Sequence, residues 1–254
     1  MPGTVLFIQH HSYAPPAMLG EAFTEAGYDV RVLAIPDTRS ETAEFPSALA
    51  YDAVVPLGAI ESVYDPDLVE SWVGPEMALL READAAGVPV LGVCFGGQLL
   101  AQAHGGTVSQ SPVPEIGWYQ VTSAHPATVP EGPWFQWHSD RWTLPPGAVE
   151  VARNGNASQA FVLRRSLAVQ FHPELDSDLL EQWLEDHPAP QLNGAALDTR
   201  VLREHTRAAQ DGAARRVRQL VTGFLGEVAG GSNPSGAARR SRTDAPRATP
   251  PSPT

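Results

Sequence analysis

The chain has 254 residues, a single cysteine and a formal net charge of −12, with every basic residue an arginine. Residues 1–228 hold 13 arginines against 28 acidic residues, so this body lacks the basic footprint that nucleic-acid phosphates require. One cysteine excludes an intramolecular disulfide, and no apolar run approaches the roughly 18 residues of a membrane helix or forms a secretory leader. A cytoplasmic protein that touches neither nucleic acid nor membrane is expected, with enough chain for one substantial core.

Taken in order, Thr4–Gln9 reads as a short apolar strand. Ala17–Ala26 is helical by the spacing of Met18, Leu19, Ala22 and Phe23, and it stops at Gly27. Tyr28–Ala34 and Tyr51–Leu57 read as two more strands, the second ending at Gly58. Pro75–Ala86 is a helix with proline near its start and Gly87 just past its end, the expected polarity. An apolar run over Val88–Val93 then ends on Cys94. Gly96 and Gly97 follow, and Leu99, Leu100, Ala101 and Ala103 mark a helix that stops at Gly105 and Gly106. Strands alternating with helices at this pitch predict an α/β fold, an open, mostly parallel sheet with helices on both faces.

After Gly106 the pattern changes. Trp118–Ser123, Val149–Arg153, Gln159–Leu163 and Leu167–Phe171 are short, β-leaning and separated by Pro, Gly and Asn turns, which predicts antiparallel strand additions. Asp178–Glu185 reads as a short helix capped by Asp176 or Ser177. A long helix over about 197–225 places Leu197, Val201, His205, Ala208, Val217, Leu220 and Phe224 along one stripe. Residues 1–228 are expected to form the folded domain, and 229–254, rich in Gly, Ser, Pro, Ala and Arg without periodicity, a disordered, solvated tail.

The chemistry concentrates at Cys94. A strand, a sharp turn and a helix would lift its thiol to the apex of an elbow, beside unpaired N–H groups and the positive end of a helix dipole. Both favour the thiolate, the nucleophilic form. A buried core cysteine is the competing reading. What favours the first lies 78 residues downstream, in Gln170-Phe171-His172-Pro173-Glu174. Residues i and i+2 of a strand point to one side, so His172 and Glu174 can meet, and Pro173 suits a strand end. A carboxylate beside imidazole fixes its tautomer and steadies the imidazolium formed when it takes a thiol proton. Elsewhere, His10 and His11 read as a loop pair near the cleft mouth, with no accompanying pattern for a metal. His138 reads either as a substrate contact or as a structural histidine, and Glu115 and Trp118 as residues that position a loop.

Gly92-Val93-Cys94-Phe95-Gly96-Gly97-Gln98 and Gln170-Phe171-His172-Pro173-Glu174 resemble the two signatures of class I (triad) glutamine amidotransferases. Residues 58–65 (Gly-Ala-Ile-Glu-Ser-Val-Tyr-Asp), 115–118 (Glu-Ile-Gly-Trp) and 137–140 (Trp-His-Ser-Asp) are similar to the stand-alone branch related to the amidotransferase domain of GMP synthetase. The resemblance runs from about Val5 to Trp183. It implies a flavodoxin-like sheet and a mechanism without metal or organic cofactor. Cys94 would attack the γ-carboxamide of glutamine, His172 would carry the proton, and Glu174 would orient His172. It further implies an oxyanion hole from the backbone at Gly58, Ala59 and Phe95, and glutamine held by Gln98 and the backbone near Ser139. Three positions depart from the family. Gly-Ala-Ile at 58–60 replaces its usual Gly-Gly-Pro, which a backbone donor tolerates only with negative φ at Ala59. Phe95 replaces the commoner Leu or Tyr and is expected to narrow the pocket.

Past Trp183 no glycine-rich phosphate loop and no second α/β pattern occurs, so the ammonia acceptor is expected on a separate synthetase subunit. A hydrolase of γ-glutamyl peptides or conjugates is the alternative within the same chemistry. A non-catalytic regulatory protein on this fold is the alternative outside it.

Overall fold

A computed structural model describes residues 3–35, 44–186, 191–192 and 195–231. Its centre is a nine-stranded sheet. The strands are β1 (Gly3–Gln9), β2 (Tyr28–Ala34), β3 (Ala53–Pro56), β4 (Val90–Val93), β5 (Val108–Ser123), β6 (Gly132–Trp142), β7 (Val149–Arg153), β8 (Ser158–Leu163) and β9 (Ser166–Val169). They lie in the order β2-β1-β3-β4-β9-β8-β7-β5-β6. From β2 to β9 every pairing is parallel, and from β9 to β6 every pairing is antiparallel. The mostly parallel sheet and its antiparallel additions are both present.

The central parallel strands β1, β3, β4 and β9 are buried on both faces because their apolar residues are continuous rather than alternating, while β2 lies at the exposed edge. Val5 and Phe7 of β1, with Val55 and Leu91, pack under helices α1 (Ala17–Glu25) and α6 (Thr199–Gly223). Leu6 and Ile8, with Val54 and Val90, pack under α3 (Gly74–Ala86) and α4 (Phe95–Ala103). The period of two thus divides one strand between two core halves. A three-residue helix, α2 (Pro66–Leu68), and a π-helical turn over Val69–Val73 lead into α3. Asp65 caps α2 by accepting from the amide of Asp67 at 3.1 Å. Helix α5 (Ser177–Asp186) is capped by Asp176, whose Oδ1 accepts from the Leu179 amide at 2.8 Å.

Three features differ from the sequence reading. Strand β6 is absent from it, since Gln136, His138 and Asp140 are polar yet buried, which hides the alternation. Strand β5 begins ten residues before Trp118, across a break in its pairing with β6 between Gln110 and Glu115. In α6 the second half of the expected stripe holds, with Val217, Leu220 and Phe224 buried. The first half is rotated: His205 and Ala208 are exposed, while Leu202, Thr206 and Ala213 are buried. Thr206 is the cause, because its hydroxyl accepts from the indole N–H of Trp118 at 2.9 Å and brings a polar residue inward. The expected tail from residue 229 lies, past Gly231, outside the described residues. No helix among the described residues is long and apolar enough to cross a membrane.

The turn between β4 and α4 allows almost no side-chain volume. A Cβ at Gly96 would overlap the carbonyl oxygen of Pro56, and one at Gly92 would lie 2.6 Å from the Gly96 oxygen. Both obstacles are backbone and cannot rotate away. Gly96→Ala is therefore expected to cost about 2 kcal/mol or more, the range of overpacked cores. Urea unfolding checks this, and a variant within 0.5 kcal/mol of wild type (about the scatter of neutral surface changes) would contradict the tight turn.

Candidate active site

The parallel strands β1, β3, β4 and β9 all end on one edge of the sheet, and the residues that follow them converge there. His10 and His11 follow β1, Gly58 and Ala59 follow β3, Cys94 follows β4 and His172 follows β9. Cys94 occupies φ 50°, ψ −107°, a backbone region that costs a non-glycine residue about 1–3 kcal/mol. Its amide donates to the Val169 carbonyl at 2.8 Å and its carbonyl accepts from Gln98 at 2.9 Å, so the neighbouring strand and the first helical turn hold the strained residue. Cys94 is only 4% exposed, sealed beneath the groups it faces.

His172 and Glu174 lie beside it. Their contact is 2.7 Å, Nδ1 of the imidazole to Oε1 of the carboxylate, with both side chains buried. Nε2 faces the other way, 3.4 Å from the Trp137 carbonyl. The Cys94 sulfur itself is 4.0 Å from that carbonyl. The indole of Trp183 meets the imidazole edge to face, with ring centres 4.9 Å apart. A Cβ on Gly58 would come within 3.0 Å of His172 Cε1 and 3.8 Å of Cys94 Cβ. A side chain at 58 would thus press on the neighbouring imidazole, and the advantage of glycine there is space, since its φ is not positive. Ala59 also avoids positive φ, which satisfies the condition for a backbone donor there. Phe95 opens α4, where a backbone N–H has no intrahelical acceptor.

The structure corrects the expectation that Phe95 narrows the pocket. Its ring points away from Cys94 and packs on His10 and Trp72, with centres 5.1 and 5.4 Å apart. The cleft is lined instead by His11, Tyr13, Ala14, Gly58, Ala59, Ile60, Trp137, His172 and Trp183, around a cavity of about 50 Å³. His10 and His11 also separate. His11 lines the cleft and pairs with Glu61 at 2.8 Å, whereas His10 is buried beneath it. No group of three metal-ligating side chains occurs among the described residues.

Gln98 is buried behind Cys94, and its amide donates to the Asp140 carbonyl at 3.2 Å and to Gln170 Oε1 at 3.4 Å. Gln170 in turn directs its Nε2 to the Cys94 sulfur at 3.7 Å. Because a carbonyl can only accept, the Asp140 oxygen fixes the orientation of both amides. The sequence reading gave Gln170 no role, although it stands in the same five-residue stretch as His172 and Glu174. Ser139 is exposed on β6 between two buried anchors, His138 and Asp140. Asp140 accepts from the Ser62 hydroxyl at 2.5 Å and the Tyr64 hydroxyl at 3.0 Å, which ties the loop after β3 to β6.

His138 belongs to a buried polar network rather than to the cleft. Its Nδ1 reaches the Asp140 carbonyl at 3.0 Å and its Nε2 lies 3.3 Å from Glu115. Glu115 also accepts from Asn154 at 2.7 Å, Asn156 at 3.0 Å and Gln159 at 3.2 Å. Burial pushes the Glu115 carboxyl up, but His138 and the two asparagines outweigh it and hold the group below its ordinary range.

With the geometry established, comparison with known proteins assigns first the fold and then the family. The fold matches that of a glutamine amidotransferase from Thermotoga maritima, with TM-score 0.75 and 26% identity over 89% of this chain and 99% of that one. A glutamine amidotransferase from Methylobacillus flagellatus superposes with TM-score 0.75 at 24% identity, covering 90% of this chain and 96% of that one. Residues 16–187 match the model of the class-I glutamine amidotransferase family, and the chain belongs to that family. Among its relatives, a glutamine-hydrolyzing GMP synthase of Nitrobacter hamburgensis is 35% identical over 147 residues, 49% of this chain and 27% of that protein. The GMP synthase of Thermus thermophilus is 33% identical over 194 residues, 67% of this chain and 35% of that protein. The chain thus spans about a quarter to a third of the length of these curated relatives.

Burial alone would lower the pKa of His172, but the Glu174 carboxylate and the Cys94 sulfur outweigh it and hold the imidazolium well above the ordinary histidine range. The folded chain then keeps a proton that the unfolded chain releases above about pH 6.5. The stability this adds is complete below that pH and is lost as pH rises through the raised pKa. Melting temperatures between about pH 7 and 9 are expected to fall more steeply for wild type than for Glu174→Gln, which lacks the main charge holding the proton. Parallel curves would contradict this assignment of the shift.

Proposed function

We propose that the chain hydrolyses the side-chain amide of glutamine through a γ-glutamyl thioester on Cys94, and that a separate acceptor enzyme takes the ammonia. The observation that carries this is the placement of one strained cysteine beside an imidazole whose far nitrogen is already bound by a buried carboxylate. The cysteine sulfur, as thiolate, attacks the amide carbon, and the carbonyl electrons move onto oxygen. The oxyanion meets backbone N–H groups of Ala59 and Phe95, with Gly58 leaving room for it. One such donor contributes about 2.7–4 kcal/mol where it has been removed from an enzyme. His172 gives its proton to the departing nitrogen, the C–N bond breaks, and ammonia leaves. Neutral His172 then takes a proton from water, whose hydroxide attacks the thioester carbon. The C–S bond breaks, glutamate departs, and thiolate and imidazolium are restored. Glu174 holds the Nδ1–H tautomer throughout.

Gln98 and the backbone at Ser139 are proposed to position the amino-acid end of glutamine. The small cavity favours a primary carboxamide, whose leaving group is no larger than a water molecule. The glutamine-hydrolyzing GMP synthases among the relatives support both the donor and a synthetase partner. No residue of the proposed chemistry calls for a cofactor.

Purified protein should release glutamate from glutamine, and Cys94→Ala should lose at least about a thousandfold of that rate, as nucleophile removal does elsewhere. Turnover of γ-glutamyl peptides but not of glutamine would replace the donor in this reading. Equal activity in wild type and Cys94→Ala would overturn the role of Cys94.

A further inference from the structure

Directly beneath the cleft, His10 and Glu76 form a further buried histidine–carboxylate pair that the proposed chemistry does not use. Nε2 of His10 lies 2.9 Å from Glu76 Oε2, and neither side chain has any solvent exposure. Trp72 and Phe95 cover the imidazole, with ring centres at 5.0 and 5.1 Å. The other carboxylate oxygen, Glu76 Oε1, has no hydrogen-bond partner in the described structure. A buried carboxylate left half-satisfied calls for an explanation. The one group outside the pair to which the imidazole reaches with a polar atom is the Gly58 carbonyl oxygen, 3.3 Å from Nδ1.

A carbonyl cannot donate, so Nδ1 must carry the hydrogen. Glu76 is compatible with this in two ways: either Nε2–H donates to the carboxylate of a doubly protonated ring, or a protonated carboxyl donates to Nε2. The peptide joining Gly58 to Ala59 is trans and planar, so the Ala59 N–H points opposite to the Gly58 carbonyl. One side of this peptide is His10. On the other side are the cleft, lined by Gly58 and Ala59, and His172 and Cys94 next to the Gly58 α-carbon. Glycine on one flank of a peptide lets it rotate at little cost, so a bond that fixes the carbonyl also fixes the amide.

We propose that His10 and Glu76 are positioning residues, which pin the Gly58 carbonyl and thereby aim the Ala59 N–H at the oxyanion. The inference rests on the proposed thioester chemistry and adds to it a device for holding the oxyanion donor. It also gives the buried charge a function that neither the cleft nor the core requires.

The test uses a double variant, His10→Phe with Glu76→Leu, which keeps ring and side-chain volume and leaves no lone buried carboxylate. Its kcat for glutamine hydrolysis is expected to fall about 100-fold with KM nearly unchanged, the loss seen when an oxyanion donor is removed. Glu76→Gln should keep kcat within about threefold, since its side-chain N–H can still donate to Nε2 and preserve the Nδ1–H tautomer. Alkylation of Cys94 by iodoacetamide, which forms no oxyanion, should proceed at the wild-type rate in both. A crystal structure of the double variant should show the Gly58 carbonyl turned from its wild-type direction. Full kcat in the double variant, or an unmoved carbonyl, would overturn the inference. Cys94→Ala run beside it separates the two levels. If that variant is as active as wild type, the thioester reading fails, while the direction of the Gly58 carbonyl still reports on the pin.

Discussion

The turn at Cys94 exists because nothing projects from residues 92, 96 and 97. Strand β4 and helix α4 approach so closely that Gly92 and Gly96 each face backbone at distances no Cβ can occupy, and Gly97 faces Val169 and Trp142 almost as tightly. That closeness forces Cys94 to positive φ, and the strained residue is held by hydrogen bonds to Val169 and Gln98. The strain is local and the restraint is spread over the centre of the sheet. A thiol positioned in this way loses little orientation freedom when it reacts, which is the advantage of placing function on rigid elements.

Around that turn the sheet delivers four strand ends to one edge, and each brings a distinct chemical element. Strand β4 supplies sulfur, β9 an imidazole with its carboxylate, β3 a backbone amide, and β1 a buried histidine beneath it. The site repeats one motif, an imidazole with one nitrogen bound to a carboxylate, at His172 and at His10. The two differ in what the second nitrogen meets. His172 lies beside Cys94, with which the proposed chemistry has it exchange a proton, whereas His10 faces the Gly58 carbonyl, to which it can only donate. In the proposed reading the same pair of side chains moves a proton in one place and holds a peptide in the other.

Much of this was legible in the sequence, and the failures have physical causes. The parallel half was readable because its central strands are continuous apolar runs and glycines mark the ends of its elements, helices at Gly27 and Gly87 and a strand at Gly58. His172 and Glu174 were found by a strand's period of two, although the structure places both in the turn that follows β9. Strand β6 was not readable, because its buried side chains include Gln136, His138 and Asp140, whose side-chain partners Gln159, Glu115, Ser62 and Tyr64 are distant in sequence. His10 was misplaced as a cleft-mouth residue for the same reason. Its partner Glu76 lies 66 positions away on a helix whose buried face reads as polar at that point. The ring of Phe95 was assigned to the wrong side of its own backbone, since a sequence does not say which side of an elbow a residue one step past the apex will take.

The central claim is that a γ-glutamyl group passes through Cys94. Rapid acid quench of wild-type protein during turnover of glutamine, followed by mass analysis of the Cys94 peptide, tests it most directly. The account predicts a mass increase of one γ-glutamyl group on that peptide, absent from Cys94→Ala and removed by mild base. Steady release of glutamate with Cys94 unmodified at every quench time, and undiminished in Cys94→Ala, would contradict it.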